Sequence, residues 1–210
     1  MKKTRRRSSD TSFLQQLNAP QADAATTVRG PLLVLAGAGT GKTRVITFRI
    51  AHLLCSGVKP ENILGVTFTN KAAKEMRERV GELLGSRPKG LTLSTFHALG
   101  ARILRAHADE LELRSSYTIY DTSDQVSLMR EILRDIRGSL STNDIRGVLT
   151  VISRAKNRFA LPEDFLETAD SDEEYLVARA YTRYTERLRS LNAVDFDDLI
   201  LLPVILLNRN

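Results

Sequence analysis

Ala36-Gly37-Ala38-Gly39-Thr40-Gly41-Lys42-Thr43 is the segment of this 210-residue chain best equipped to do chemistry. Its glycines let backbone amides converge on phosphate oxygens, Lys42 can reach the β and γ phosphates of a nucleoside triphosphate, and the Thr43 hydroxyl suits Mg²⁺. Such a loop works between a strand and a helix, whose N-terminus adds a positive dipole end. Both neighbours are legible. The apolar run Leu32–Leu35 follows a Gly30-Pro31 turn, and Ile46, Ile50, Leu53 and Leu54 share one helical face that Gly57 stops. Ala36 stands where the usual pattern has its first glycine, a position that asks only for a small residue. The loop alone leaves kinases, GTPases, ATPases and motors open.

Other residues carry two readings each. The Gln21 carboxamide suits the edge of adenine, and its spacing from Asn18 also makes a capping box. Arg44 is either a neighbour of bound nucleotide or a solvated helix cation. Phe68, Thr69 and Asn70 fall where a strand ends and a helix begins, the ligand edge of a parallel sheet, where helix amides can hold a nucleic-acid phosphate. Phe68 there is a base contact or a core residue. Thr95, Phe96 and His97 repeat the geometry after the next strand; nothing nearby makes a metal set or a nucleophile triad with His97. His52 and His107 read as surface or core.

The elements that position these residues follow an alternating pattern over 11–109. Strands are predicted at Leu32–Leu35, Ile63–Phe68 and Leu91–Ser94, with helices between and after them. The second helix, capped by Asn70, carries the stripe Ala72, Met76, Val80, Leu83 and Leu84 and ends at Gly85. The third carries Leu99, Ile103 and Ala106. From 110 to 194 the pattern is mostly helical: Val126, Met129, Leu133 and Ile136; Ile145, Val148, Leu149 and Ile152; Tyr181, Tyr184, Leu188 and Leu191. Tyr117–Tyr120 reads as a brief strand, Gly138–Asn143 and Leu161–Ser171 as loops, and a last helix begins near Asp195. The predicted fold is α/β: an incomplete parallel sheet with a mostly helical inserted subdomain, and a return to the first domain over 195–210. A basic flexible tail occupies 1–10.

Composition bounds the partners. The net charge of +6 is uneven, with 18 Lys and Arg against 8 Asp and Glu in residues 1–110 and 13 against 17 in the rest. The first half is therefore the one suited to a polyanion. Cys55 is alone, which excludes an intramolecular disulfide and fits a reducing cytoplasm. The longest apolar run, Leu199–Leu207, contains Pro203 and is too short to span a bilayer.

In order along the chain, Leu17-Asn18-Ala19-Pro20-Gln21, the phosphate loop, Val66-Thr67-Phe68-Thr69-Asn70-Lys71-Ala72-Ala73-Lys74-Glu75-Met76 and Ser94-Thr95-Phe96-His97-Ala98-Leu99 resemble the Q motif and motifs I and Ia, with the DNA-contact motif that follows them, of UvrD/Rep/PcrA-like superfamily 1 DNA helicases. Val194-Asp195-Phe196-Asp197-Asp198-Leu199 resembles a segment those enzymes carry shortly before motif II. The resemblance implies a RecA-like ATP-binding subdomain and an ATP-dependent 3′ to 5′ helicase or translocase of DNA repair or replication. It also implies Gln21 on adenine, Ala36–Thr43 on phosphates, Thr43 on Mg²⁺, and Phe68, Thr69, Asn70, Thr95, Phe96 and His97 on single-stranded DNA. The helical insertion would touch the duplex at a junction, where Arg154, Lys156 and Arg158 form a local basic cluster.

Hydrolysis also needs a strand-end carboxylate on the metal. The Asp-Glu expected there is missing from the sequence; Asp197-Asp198 is a substitute whose surroundings fit a helix start better. The chain is thus expected to be an N-terminal portion, inactive alone, with an apolar closing run left uncovered. A short non-hydrolysing nucleotide- or DNA-binding regulator is the alternative, followed by a small phosphate-loop kinase, which would leave Thr67–Lys74 and Thr95–His97 unexplained.

Overall fold

The computed structural model describes residues 11–138 and 141–209, and of Arg137 the backbone alone. The basic tail expected over 1–10, with Lys2, Lys3, Arg5, Arg6 and Arg7, lies outside the described residues, as do two positions of the Gly138–Asn143 loop. The chain divides into two compact units, one ending at Phe96 and one beginning at His97.

In the first unit, helix α1 (Ala19–Thr26) opens on a capping box in which Asn18 Oδ1 accepts from the Gln21 amide at 3.0 Å and Gln21 Oε1 from the Asn18 amide at 3.3 Å. Ala25 brings α1 against Phe48 and Ala51 of α2 (Lys42–Cys55), and Phe13 meets Phe48 edge-on at 5.8 Å. Two strands, β1 (Leu64–Thr67) and β2 (Thr92–Thr95), pair in parallel from Leu64 opposite Thr92 to Thr67 opposite Thr95. Between them runs α3 (Asn70–Leu84), ended by Gly85 in the left-handed region at φ +67°. Ile50, Ile63, Met76, Val80 and Leu93 form the core that joins α2, α3 and the ladder. The helix cap is Thr69, whose hydroxyl accepts from the Ala72 amide at 3.1 Å, rather than Asn70.

The strand expected at Leu32–Leu35 does not form. Leu33 and Leu35 are 80% and 85% exposed, and among the described residues no strand pairs with the run. Apolar character makes a strand only where a neighbour supplies the hydrogen-bond ladder and covers a face.

In the second unit, α5 (Thr122–Arg137), α6 (Thr142–Asn157) and α8 (Asp172–Ser190) pack around Met129, Leu133, Ile145, Ile152, Tyr181 and Tyr184. Burying each such large side chain stabilises by roughly 1.5 to 3 kcal/mol. The predicted stripes of α5 and α6 face the core, with Ile136 and Leu149 half-buried at its edge; on α8, Leu191 lies past the helix end and is exposed. The stretch Leu161–Ser171, expected as loop, contains a short helix, α7 (Pro162–Glu167), because Pro162 opens it and the Asp164 carboxylate accepts from the Leu161 amide at 2.8 Å. A two-residue parallel ladder joins β3 (Thr118–Ile119) to β4 (Ala193–Val194).

Helix α4 (Phe96–Ala106) buries Gly100, Ala101 and Leu104, one position along from the predicted stripe. Gly100 explains the rotation. A Cβ there would lie 1.8 Å from the carbonyl oxygen of Leu199 in α9 (Asp198–Arg209). Pro203, four residues on, has no N–H to give that carbonyl, so only a glycine face can close on it. The apolar closing run is not left bare: Leu199, Leu201, Pro203 and Leu206 are buried, and Leu207 is exposed. Among the described residues no helix is long and apolar enough to cross a membrane. The fold is mixed helix and strand with small parallel ladders.

Candidate nucleotide and nucleic-acid sites

The phosphate loop sits at the N-terminus of α2. Gly39 and Gly41 take positive φ, +76° and +90°, which L side chains rarely adopt, and a Cβ at Gly41 would lie 2.9 Å from Gln21 Nε2 and oblige that side chain to move. Every residue from Pro31 to Thr40 is exposed, as are Lys42, Thr43 and Arg44. The loop is closed by its own side chains. Lys42 Nζ donates to the carbonyls of Ala36 at 2.8 Å and Gly37 at 2.6 Å, and Thr40 Oγ1 donates to Gly37 at 2.8 Å. Gln21 Nε2 donates to the Thr40 carbonyl at 3.0 Å, so α1 is tied to the loop by the same residue that caps it.

Those contacts bring Gln21, Ala36, Gly37, Thr40, Gly41 and Lys42 together. Ala38 and Gly39 stand exposed at the turn. Arg44 goes elsewhere: its guanidinium donates to the Gln16 carbonyl at 2.8 Å and covers the Phe48 ring at 5.3 Å. Thr43 presents an exposed hydroxyl in the first turn of a 14-residue helix, beside the lysine. That arrangement fits one oxygen ligand to a phosphate-bound Mg²⁺, with the helix dipole favouring the anion it accompanies. Among the described residues, no group of three or more His, Cys, Asp or Glu could hold a metal.

Phe68, at the end of β1, is 88% exposed, so this strand phenylalanine is not core. Its ring lies 5.9 Å from that of Phe96, which is half exposed at the end of β2. Thr69 and Asn70 are exposed beside it at the start of α3, while Thr95 is buried. In the second unit His97 is exposed and meets Phe196, whose ring centroid is 5.5 Å away. Phe196 is itself 53% exposed.

The basic cluster expected at Arg154, Lys156 and Arg158 is not a surface patch. Arg154 and Arg158 are exposed, but Lys156 is 3% exposed and donates to Asp195 Oδ2 at 2.8 Å and Asp198 Oδ1 at 2.7 Å. Tyr184 donates its hydroxyl to Asp195 Oδ2 at 3.1 Å. Burial works against the Lys156 charge, yet the Asp198 and Asp195 carboxylates together hold its pKa above the ordinary lysine value. Burial, reinforced by Asp195 and opposed by Lys156, pushes Asp198 up to about 6. Two carboxylates share one ammonium, so the second ionisation is the costly one. Asp198 is thus bonded to Lys156 and to the Asp195 amide, while the Asp195 carboxylate accepts from the first amide of α9.

These geometries meet a clear relationship. Residues 17–210 match the family model described as the UvrD/REP helicase N-terminal domain. The chain belongs to that family. It is 46% identical over 190 residues to the ATP-dependent DNA helicase PcrA of Leuconostoc citreum, covering 90% of this chain and 25% of that protein. With the protein of the same name from Bacillus subtilis the identity is 43% over 198 residues, 94% of this chain and 27% of the relative. The chain thus spans about a quarter of the length of these relatives. As a UvrD/REP-type domain it carries an exposed phosphate loop in one unit and exposed ring pairs in both.

Two features of the second unit escaped the sequence reading. Lys156 lies four residues after Ile152 on the apolar stripe of α6, so its burial had a periodic signal. Its partners lie 39 and 42 residues away, with no signal between them. Phe196 was legible only as part of a motif.

Proposed function

We propose that this chain supplies the ATP- and DNA-binding N-terminal part of an ATP-dependent 3′ to 5′ DNA helicase or translocase working in the cytoplasm in repair or replication. On this reading residues 11–109 begin a RecA-like domain whose parallel sheet is incomplete over these residues, 110–194 are a helical insertion facing the duplex, and 195–210 return to the first domain. The observation that carries it is the loop geometry: Gly41 at φ +90° places Lys42 and Thr43 as the first two residues of α2, both exposed.

With a nucleotide bound, Lys42 would exchange the Ala36 and Gly37 carbonyls for phosphate oxygens, Thr43 would offer its hydroxyl to Mg²⁺, and Gln21 would face adenine while joined to the loop backbone. The Mg²⁺ would supply neutralisation of phosphate charge. Phe68 with Phe96, and His97 with Phe196, offer stacking surfaces that accept any base, and Thr69 and Asn70 offer backbone contacts at a helix N-terminus. Among the described residues no group of three or more His, Cys, Asp or Glu is placed to complete the metal site. The chain alone is therefore expected to release no phosphate above the level of Lys42→Ala, with or without DNA.

Single-stranded oligothymidine binding tests the reading. Affinity is expected to fall steeply with added salt, to be insensitive to sequence, and to drop by roughly 5-fold or more in Phe68→Ala, the scale of one lost stacking contact. Tight, salt-independent binding to one sequence would contradict it.

A further inference from the structure

The turn Asp195–Asp198 is gripped from one side. Its backbone closes on itself, with the Asp198 amide donating to Asp195 Oδ1 at 2.9 Å and the Asp195 amide to Asp198 Oδ2 at 3.1 Å. Lys156 of α6 bridges both carboxylates, Tyr184 of α8 adds a third bond, and Asn157 Nδ2 donates to Asp197 Oδ1 at 3.1 Å. Three of the four side chains in the turn are therefore bonded to the α6 and α8 bundle. The fourth, Phe196, has no polar tie, and its ring points out to lie beside His97.

We propose that Lys156 is a positioning residue through which the helical bundle clamps this turn and holds Phe196 out beside His97 as a contact for single-stranded DNA. The DNA part of the inference rests on the function proposed above; the clamp does not. A buried ammonium holding two buried carboxylates favours one arrangement, since a displacement leaves a charge unpaired where little solvent can compensate it. The bundle thereby sets the orientation of a ring it does not itself cover. Change in α6 or α8 would be felt at the ring, and binding at the ring would be felt in the bundle.

The chain contains no tryptophan, so Phe196→Trp gives a single fluorescent reporter. In that background Lys156→Met is expected to lower the anisotropy of the reporter and raise its quenching by acrylamide. Should Lys156→Met alone fail to fold, Lys156→Met with Asp195→Asn and Asp198→Asn keeps the shape without charge, and the same loosening is expected. Val148→Ala, a buried change on the same helix, should leave the reporter unmoved. Unchanged anisotropy and quenching in a folded Lys156 variant would overturn the clamp.

A second arm uses the native ring. Phe196→Leu is expected to weaken oligothymidine binding by roughly 5-fold or more, and to cost nothing further once Lys156 is replaced. Equal losses from Phe196→Leu in both backgrounds would also overturn the proposal. If the unaltered chain binds no oligothymidine, the DNA-binding reading fails, and the fluorescent reporter still decides the clamp.

Discussion

The phosphate loop and the Lys156 cluster each centre on one lysine that donates to two oxygens, and they differ in almost everything else. Lys42 is exposed and bonds two neutral carbonyls of its own loop within six residues. Lys156 is buried and bonds two carboxylates about 40 residues away. Water can replace the partners of the first at little cost, so Lys42 is free to exchange carbonyls for phosphates. The second is almost wholly buried, so its partners cannot be exchanged without leaving a buried charge unpaired. One lysine is placed for binding, the other for architecture.

Stability measurements should separate them. Lys156→Met leaves two carboxylates buried without their cation and is expected to destabilise the second unit by about 3 to 5 kcal/mol, read from the urea midpoint. A loss under about 1 kcal/mol would put the cluster in contact with solvent. Gly100→Ala sets a Cβ against a backbone carbonyl that cannot retreat within its helix, and should cost about 1 to 3 kcal/mol. A neutral result there would mean that α4 and α9 are not packed as described.

Asp198 makes the comparison pH-dependent. Its pKa of about 6 in the folded chain lies above the value near 4 expected when unfolded, so the folded state holds the proton more tightly. From this group, stability is greatest below about pH 4 and declines as pH rises to about 6. The stability of the wild type minus that of Asp198→Asn is therefore expected to fall by about 1 to 3 kcal/mol across that window. A difference that stays flat or rises would assign the titration elsewhere. Smaller effects belong to the nucleotide side. Asn18→Ala, which removes half of a capping box, should cost about 1 kcal/mol. Lys42→Ala should shift stability by less than about 0.5 kcal/mol, because its partners are exposed.

The same contrast decides what could be read in the sequence. Gln21, the loop and the start of α3 are local: spacing over a few residues names the capping box, the turn and the helix start, and only the cap of α3 moves, by one residue, from Asn70 to Thr69. Leu32–Leu35 failed because a strand is a property of a pair, and the apolar run carries no information about its neighbour. The stripe of α4 was displaced by one position because Gly100 must meet a carbonyl orphaned by Pro203, about 100 residues on. Lys156 was read by charge when its place on an apolar stripe was the better guide, and its two carboxylates were readable only as a helix start.

The most direct test is calorimetric titration of Mg-ATP into the folded chain and into Lys42→Ala. The expected result is binding by the wild type and an affinity weaker by about 1 to 3 kcal/mol in the variant, the scale of a lost charge-assisted contact, with the two proteins equally stable. Equal affinities in two equally folded proteins would contradict the assignment of Lys42 to phosphate, and with it the nucleotide site.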